Sequence, residues 1–188
     1  MTPSTVRRDA ASRLIKASPA AIYQAFVVRE AMAKWSAPEG ATMAIQVFEP
    51  RIGGRIQMTF TFASAPGKST ANAEVVVGSF VALVPQQRIV QMFECTSTDP
   101  TFAGMMTMPW VLEVAAGGTV VTVVAENVPS GISQTDHGIG MNSSLAHLAA
   151  YVQRVVAVAI GSASIRGCMG TLPTLLPPVT IPGRAPLA

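Results

Sequence analysis

Chemistry has few places to reside in this chain, because its 188 residues include only two histidines and two cysteines. His137 opens the run DHGIGMNSSLAHLAAYVQR, in which His137, Met141, Leu145, Leu148 and Val152 recur at helical spacing. An imidazole there, facing an enclosed space, can donate a hydrogen bond to a carbonyl or act as a base. A second role stays open, that of a partly exposed cap beside Asp136. His147, ten residues on, falls about 80° away around the helix axis and is expected to face solvent.

Glu74, Glu94, Glu113 and Glu126 fall in strand-like sequence, where paired carboxylates could do acid–base work, but the expectation is exposed sheet-face carboxylates. Cys95 and Cys168 are expected as free thiols. Neither belongs to a CxxC motif, and no cluster of His, Cys and carboxylate has metal-ligand spacing. The pairs Gly53-Gly54 and Gly117-Gly118 do not open helices, so they read as hairpin glycines and not as a phosphate loop. No catalytic motif emerges, and no metal or cofactor is implied.

These residues need a scaffold, and the hydrophobic pattern supplies one. Ser12–Ala17 alternates as a strand; Ser18-Pro19 then reads as an N-cap followed by proline at the first helical position. Ile22, Tyr23 and Phe26 give a short helix its apolar face, and Met32 and Trp35 mark a second one over Glu30–Trp35. After a break at Pro38-Glu39-Gly40, six strands follow: Thr42–Glu49, Arg55–Phe62, Thr70–Val84, Arg88–Cys95, Met105–Ala115 and Thr119–Glu126. Most are joined by hairpin signals, hence antiparallel. Gly78 is expected to mark a bulge or bend. Pro109 argues that its strand lies at an edge or carries a bulge. On that strand Met106, Met108, Trp110, Leu112 and Val114 share a face. Ser133 is a suitable N-cap for a helix running to about Arg154, with Asp136 placed to favour the helix dipole.

The domain so outlined spans 12–157. Residues 1–11 are expected to be a flexible N-terminus, and 158–188 a proline-rich tail without regular structure, with five prolines after residue 172. Composition bounds the function. A chain that is 49% hydrophobic and 12% charged is apolar, yet no stretch reaches the ~20 apolar residues of a spanning helix. A net charge of +3 with dispersed basic residues argues against nucleic-acid binding. The N-terminus has no export signal, so a cytoplasmic location is expected. The sequence does not decide between a monomer and a homodimer.

The order of strand, two short helices, six antiparallel strands and long C-terminal helix is that of a helix-grip fold of the α+β class. The chain resembles the START-like SRPBCC superfamily, and within it the branch similar to the activator of heat-shock protein 90 ATPase. The resemblance is carried by RLIKASPAAIYQAF, AMAKWSAPEG, FEPRIGGRIQMTF, VGSFVALVPQQRIV, GGTVVTV and DHGIGMNSSLAHLAAYV. Two departures stand out: Glu49 replaces a usual aspartate, and Met141 replaces a tryptophan after the helix glycine. Members of the superfamily bind hydrophobic molecules between sheet and helix, and some are cyclases or hydrolases.

The expected site therefore lies between sheet and helix, lined by Trp35, Met58, Phe60, Met106, Met108, Trp110, His137, Met141 and Leu145. Four of the chain's ten methionines are in that set, and their soft side chains would make a deformable wall. The leading expectation is a protein that binds a lipid, polyketide or aromatic compound. The same residues also suit a filled core. The alternatives are a cyclase- or hydrolase-like enzyme using His137 or a buried carboxylate, and a co-chaperone-like interaction module.

Overall fold

A computed structural model describes residues 7–37, 40–62, 73–95, 97 and 99–167. Strand β1 (Arg8–Ile15) is followed by helices α1 (Pro19–Val27) and α2 (Arg29–Trp35). Strands β2 (Ala41–Phe48), β3 (Arg55–Phe62), β4 (Ala73–Val84), β5 (Arg88–Cys95), β6 (Gly104–Ala115) and β7 (Gly118–Glu126) come next, and helix α3 (Gln134–Gly167) ends the described chain. The strands form one sheet in the order β1-β7-β6-β5-β4-β3-β2, and every neighbouring pair is antiparallel. β2 to β7 therefore follow one another as a meander. β1 closes against β7, and α1 and α2 carry the chain across to β2 at the opposite edge.

Local sequence explains the joints. The Ser18 side chain accepts a hydrogen bond from the Ala21 amide, and Pro19 takes the first helical position, where its missing N–H costs nothing. Ala116-Gly117 turns β6 into β7, with Gly117 at φ 83°, a conformation glycine adopts without strain. In the β2–β3 hairpin the Glu49 carboxylate accepts from the Arg55 amide at 3.0 Å and from the Arg51 guanidinium at 3.1 Å, so the longer acid still closes the turn.

Several elements differ from the expectations. β1 begins at Arg8, not Ser12, and residues 8–11 are part of the sheet: Arg8 to Ala11 continue the ladder to Glu126–Val123 through backbone bonds that need no side-chain alternation. β6 is an interior strand, so Pro109 does not mark an edge. Its ladder to β7 is interrupted between Thr107↔Glu126 and Trp110↔Val123 without a change of register, and the imino nitrogen sits in that gap. Gly78 is not the bulge either; the register shift in β4 lies between Phe80 and Ala82. A Cβ on Gly78 would stand 2.4 Å from the Met92 carbonyl and 2.5 Å from the Phe93 ring, so glycine there makes room for Phe93. Val114 is 80% exposed, beyond the part of the sheet that the helices cover.

Helix α3 continues past Arg154 and past Gly161 to Gly167. Its backbone bonds are internal, and the next proline is Pro173. The expected tail thus begins no earlier than residue 168; residues 168–188, together with residues 1–6, the turn at 65–68 and Cys168, lie outside the described residues. α3 rests on β1, α1 and α2, burying Met141, Leu145, Leu148, Ala149 and Val152. The inner face of β3 to β6 lies beyond those supports, and a space remains between it and the start of α3.

Candidate functional site

That space is a cavity of about 440 Å³. Alternation aims the wall residues: Met58 and Phe60 on β3, Gln91 and Phe93 on β5, and Met106, Met108 and Trp110 on β6 face the same side of the sheet. α2 contributes Met32 and Trp35, and α3 contributes His137, Gly140 and Ser144. A smaller cavity of about 240 Å³ adjoins it, sharing Met108, Trp110, His137, Gly140 and Ser144 and adding Met141, Ser143 and His147.

Of the residues the sequence pointed to, Trp35, Met58, Phe60, Met106, Met108, Trp110 and His137 line the larger cavity. Met141 is only 3% exposed and touches the smaller one alone. Leu145 is fully buried and lines neither, so it is core. Helical geometry separates these groups: His137, Gly140 and Ser144 sit one, two and three turns along the cavity side, whereas Met141, Leu145 and Leu148 are rotated towards the core. His147 is half-buried in the smaller cavity's wall and does not face solvent as expected. Of the strand carboxylates, Glu94 lies at the exposed rim, Glu113 is exposed and Glu126 pairs with Arg8 at 2.8 Å. Cys95 is half-buried at the edge of the larger cavity.

Aromatic packing stiffens the inner end. Phe26 and Trp35 meet at 4.9 Å between ring centroids, Phe26 and Trp110 at 5.0 Å, and the two tryptophans at 5.8 Å in an edge-on contact. The Trp35 indole N–H donates to the Ala25 carbonyl at 2.8 Å. Among the described residues the Trp110 N–H has no acceptor, and neither has the Gln91 Nε2, although both atoms are buried.

His137 is held by a residue placed in the N-terminal segment that was expected to be flexible. Its Nδ1 lies 2.8 Å from the Asp9 carboxylate, which is buried and also accepts from the Arg7 guanidinium at 2.7 and 3.3 Å. Arg7 reaches on to the Ile132 carbonyl, in the loop before α3. The Arg7 hydrogen bonds hold the Asp9 carboxyl below its usual range against the opposing effect of burial, with help from His137. An ionised Asp9 requires the imidazole proton on Nδ1, which leaves Nε2 as the nitrogen free to act in the cavity. At the helix start, Ser133 Oγ accepts from the Asp136 amide at 3.0 Å and donates to the Asp136 carboxylate at 2.6 Å. Ser133 therefore caps the helix with Asp136 as its partner, and His137 is left to face inward.

Asp9, Arg7, Gln91, Gly140 and Ser144 were not singled out from the sequence. Gln91 was within reach, since it shares strand parity with Ile89 and Phe93. Asp9 was not: on its face of β1 only Ile15 is a large apolar residue, so no alternation announces a strand. Among the described residues, no three His, Cys, Asp or Glu side chains converge as a metal would require, and no helix is long and apolar enough to cross a membrane.

A curved seven-stranded antiparallel sheet gripped by a long C-terminal helix, with the space between them, defines a helix-grip protein of the START-like superfamily. The chain belongs to the family described as activator of Hsp90 ATPase homolog 1-like protein, whose model matches residues 16–153. Among solved structures, a protein of Chromobacterium violaceum is similar at 29% identity and a TM-score of 0.68, over 77% of this chain and 96% of that one. An AHSA1-like protein of Aeromonas hydrophila shares the fold at 14% identity and a TM-score of 0.63, over 79% of this chain and 94% of that one. A Rhodobacter sphaeroides protein does so at 18% and 0.65, over 79% and 93%. A comparison with curated proteins returns no match.

Proposed function

We propose that this protein encloses a hydrophobic small molecule, a lipid, polyketide or aromatic compound, between its sheet and helix α3. The observation that carries the reading is the cavity of about 440 Å³ with methionine and aromatic walls. Its size falls within the ~300–1,000 Å³ usual for small-molecule sites, and methionine lets such a wall adapt to its occupant. Native mass spectrometry of protein purified gently from its own host tests this: a discrete added mass should appear and vanish on denaturation. Ser144→Phe, which places a ring where a small side chain now lines both cavities, should lower the bound fraction at least about tenfold while the far-ultraviolet dichroism is unchanged. No added mass in the wild-type protein, or full retention in the variant, would count against the cavity as the site.

A second reading, a cyclase- or hydrolase-like activity, is favoured by one observation, the Asp9-oriented imidazole of His137 in the cavity wall. His137→Gln separates the two. Under pure binding it co-purifies with the same compound as the wild type; under catalysis it accumulates an unconverted precursor of different mass.

A further inference from the structure

We infer that the occupant of the cavity is a neutral molecule bearing a carbonyl group, and that its oxygen is received by Gln91 and Trp110. The inference rests on the reading of the cavity as a ligand site and specifies the chemistry of its polar end.

Gln91 on β5 stands directly opposite Met108 on β6, so Trp110, two residues along the same face, is its diagonal neighbour across the strands. Both side chains line the cavity and are at least nine-tenths buried, and each carries a covered donor without a partner among the described residues, Nε2 of Gln91 and Nε1 of Trp110. Buried donors are satisfied in the great majority of native proteins, because an unmade hydrogen bond keeps the full desolvation penalty. The rest of this interior follows that rule: Trp35 donates to Ala25, and the buried Thr119 hydroxyl donates to the Ala17 carbonyl at 2.8 Å. Among the described residues the two exceptions are diagonal neighbours on the cavity wall. A carbonyl oxygen has two lone pairs and can accept from both once the Gln91 amide nitrogen and the Trp110 indole edge, each covered in this structure, turn towards it.

Charge decides against an anion. The described lining of the larger cavity contains no lysine or arginine, while Glu94 and Asp136 stand at its rim. The nearby Arg7 is committed to Asp9 and the Ile132 carbonyl. A carboxylate in the cavity would therefore be desolvated without a counter-charge, whereas an aryl ketone, quinone or ester loses little on entry and gains two donors.

The test is displacement of the neutral fluorescent probe N-phenylnaphthylamine by three molecules with the same two phenyl rings: benzophenone, diphenylmethane and the anion diphenylacetate. Benzophenone should bind about tenfold more tightly than diphenylmethane, and diphenylacetate more weakly than benzophenone. Gln91→Leu, close to isosteric, should retain the probe and cut the benzophenone preference severalfold; Trp110→Phe should do the same. Equal affinities for benzophenone and diphenylmethane, a preference unchanged in Gln91→Leu, or tighter binding of diphenylacetate would overturn the inference while probe binding leaves the cavity reading intact. Failure of the probe and of all three compounds to bind would remove both.

Discussion

Asp9 lies buried with its carboxylate shared between the Arg7 guanidinium and the His137 imidazole. The arrangement ties β1 to the first turn of α3, so the carboxylate has a structural effect as well as orienting the histidine. Its acidity is raised chiefly by the Arg7 hydrogen bonds. A carboxyl whose folded pKa lies below its unfolded value stabilises the fold fully above that unfolded value, about 4, and loses the contribution as pH falls through the folded one. Asp9→Asn should therefore be less stable at pH 7 by about 2 kcal/mol, a Tm lower by roughly 4–8 °C for a chain of this size. Wild type and variant should converge on acidification below about pH 4. Thermal melts by circular dichroism across that range check it, and a constant gap would show that Asp9 is not held ionised.

At the scale of the element, α3 must begin where it does for His137 to face the cavity. Residues in the first turn have amides without helical partners, and Ser133 supplies one acceptor for them. Ser133→Ala should cost about 1 kcal/mol, lowering Tm by about 2–4 °C. Amide exchange should accelerate at Asp136 and its neighbours and stay unchanged in the middle of the helix. Protection lost evenly along α3 would mean that the cap does not act locally. Gly140 and Ser144 add a second feature of the same element: the missing side chain of one and the small one of the other leave open the volume on one side of the helix, while the larger residues beside them fill the core.

For the molecule as a whole, stability comes from a sheet closed at one edge by β1 and gripped by three helices. Among the described side chains of α3, the last against the core are Val152 and Val156, while Val155 and Val158 are exposed. Removing residues 162–188 should change Tm by less than about 2 °C. A fall of several degrees would show that the segment packs on the domain. The family match ends at residue 153, close to Val156, the last of the described side chains that pack on the core.

Local rules were strong enough to read most of this architecture from the residues. The alternation of Ile56, Met58 and Phe60, the Ser18-Pro19 cap, the Ala116-Gly117 turn and the 3.6-residue stripe of α3 each depend on neighbours a few positions away. The same parity was enough to point Trp110, Met106 and Met108 at one side of the sheet. Long-range partnership was decided only in three dimensions. Asp9 and His137 are 128 positions apart, and their contact exists because β1 pairs with β7 and α3 leans back on β1. Pro109 reads locally as a mark of an edge or a bulge, yet it sits inside the sheet in register, where a short interruption of one ladder accommodates it. Leu145 and Ser144 are adjacent in sequence, and one enters the core while the other borders the cavity. Periodicity states that a residue is turned inward; what it meets there depends on how far sheet and helix stand apart.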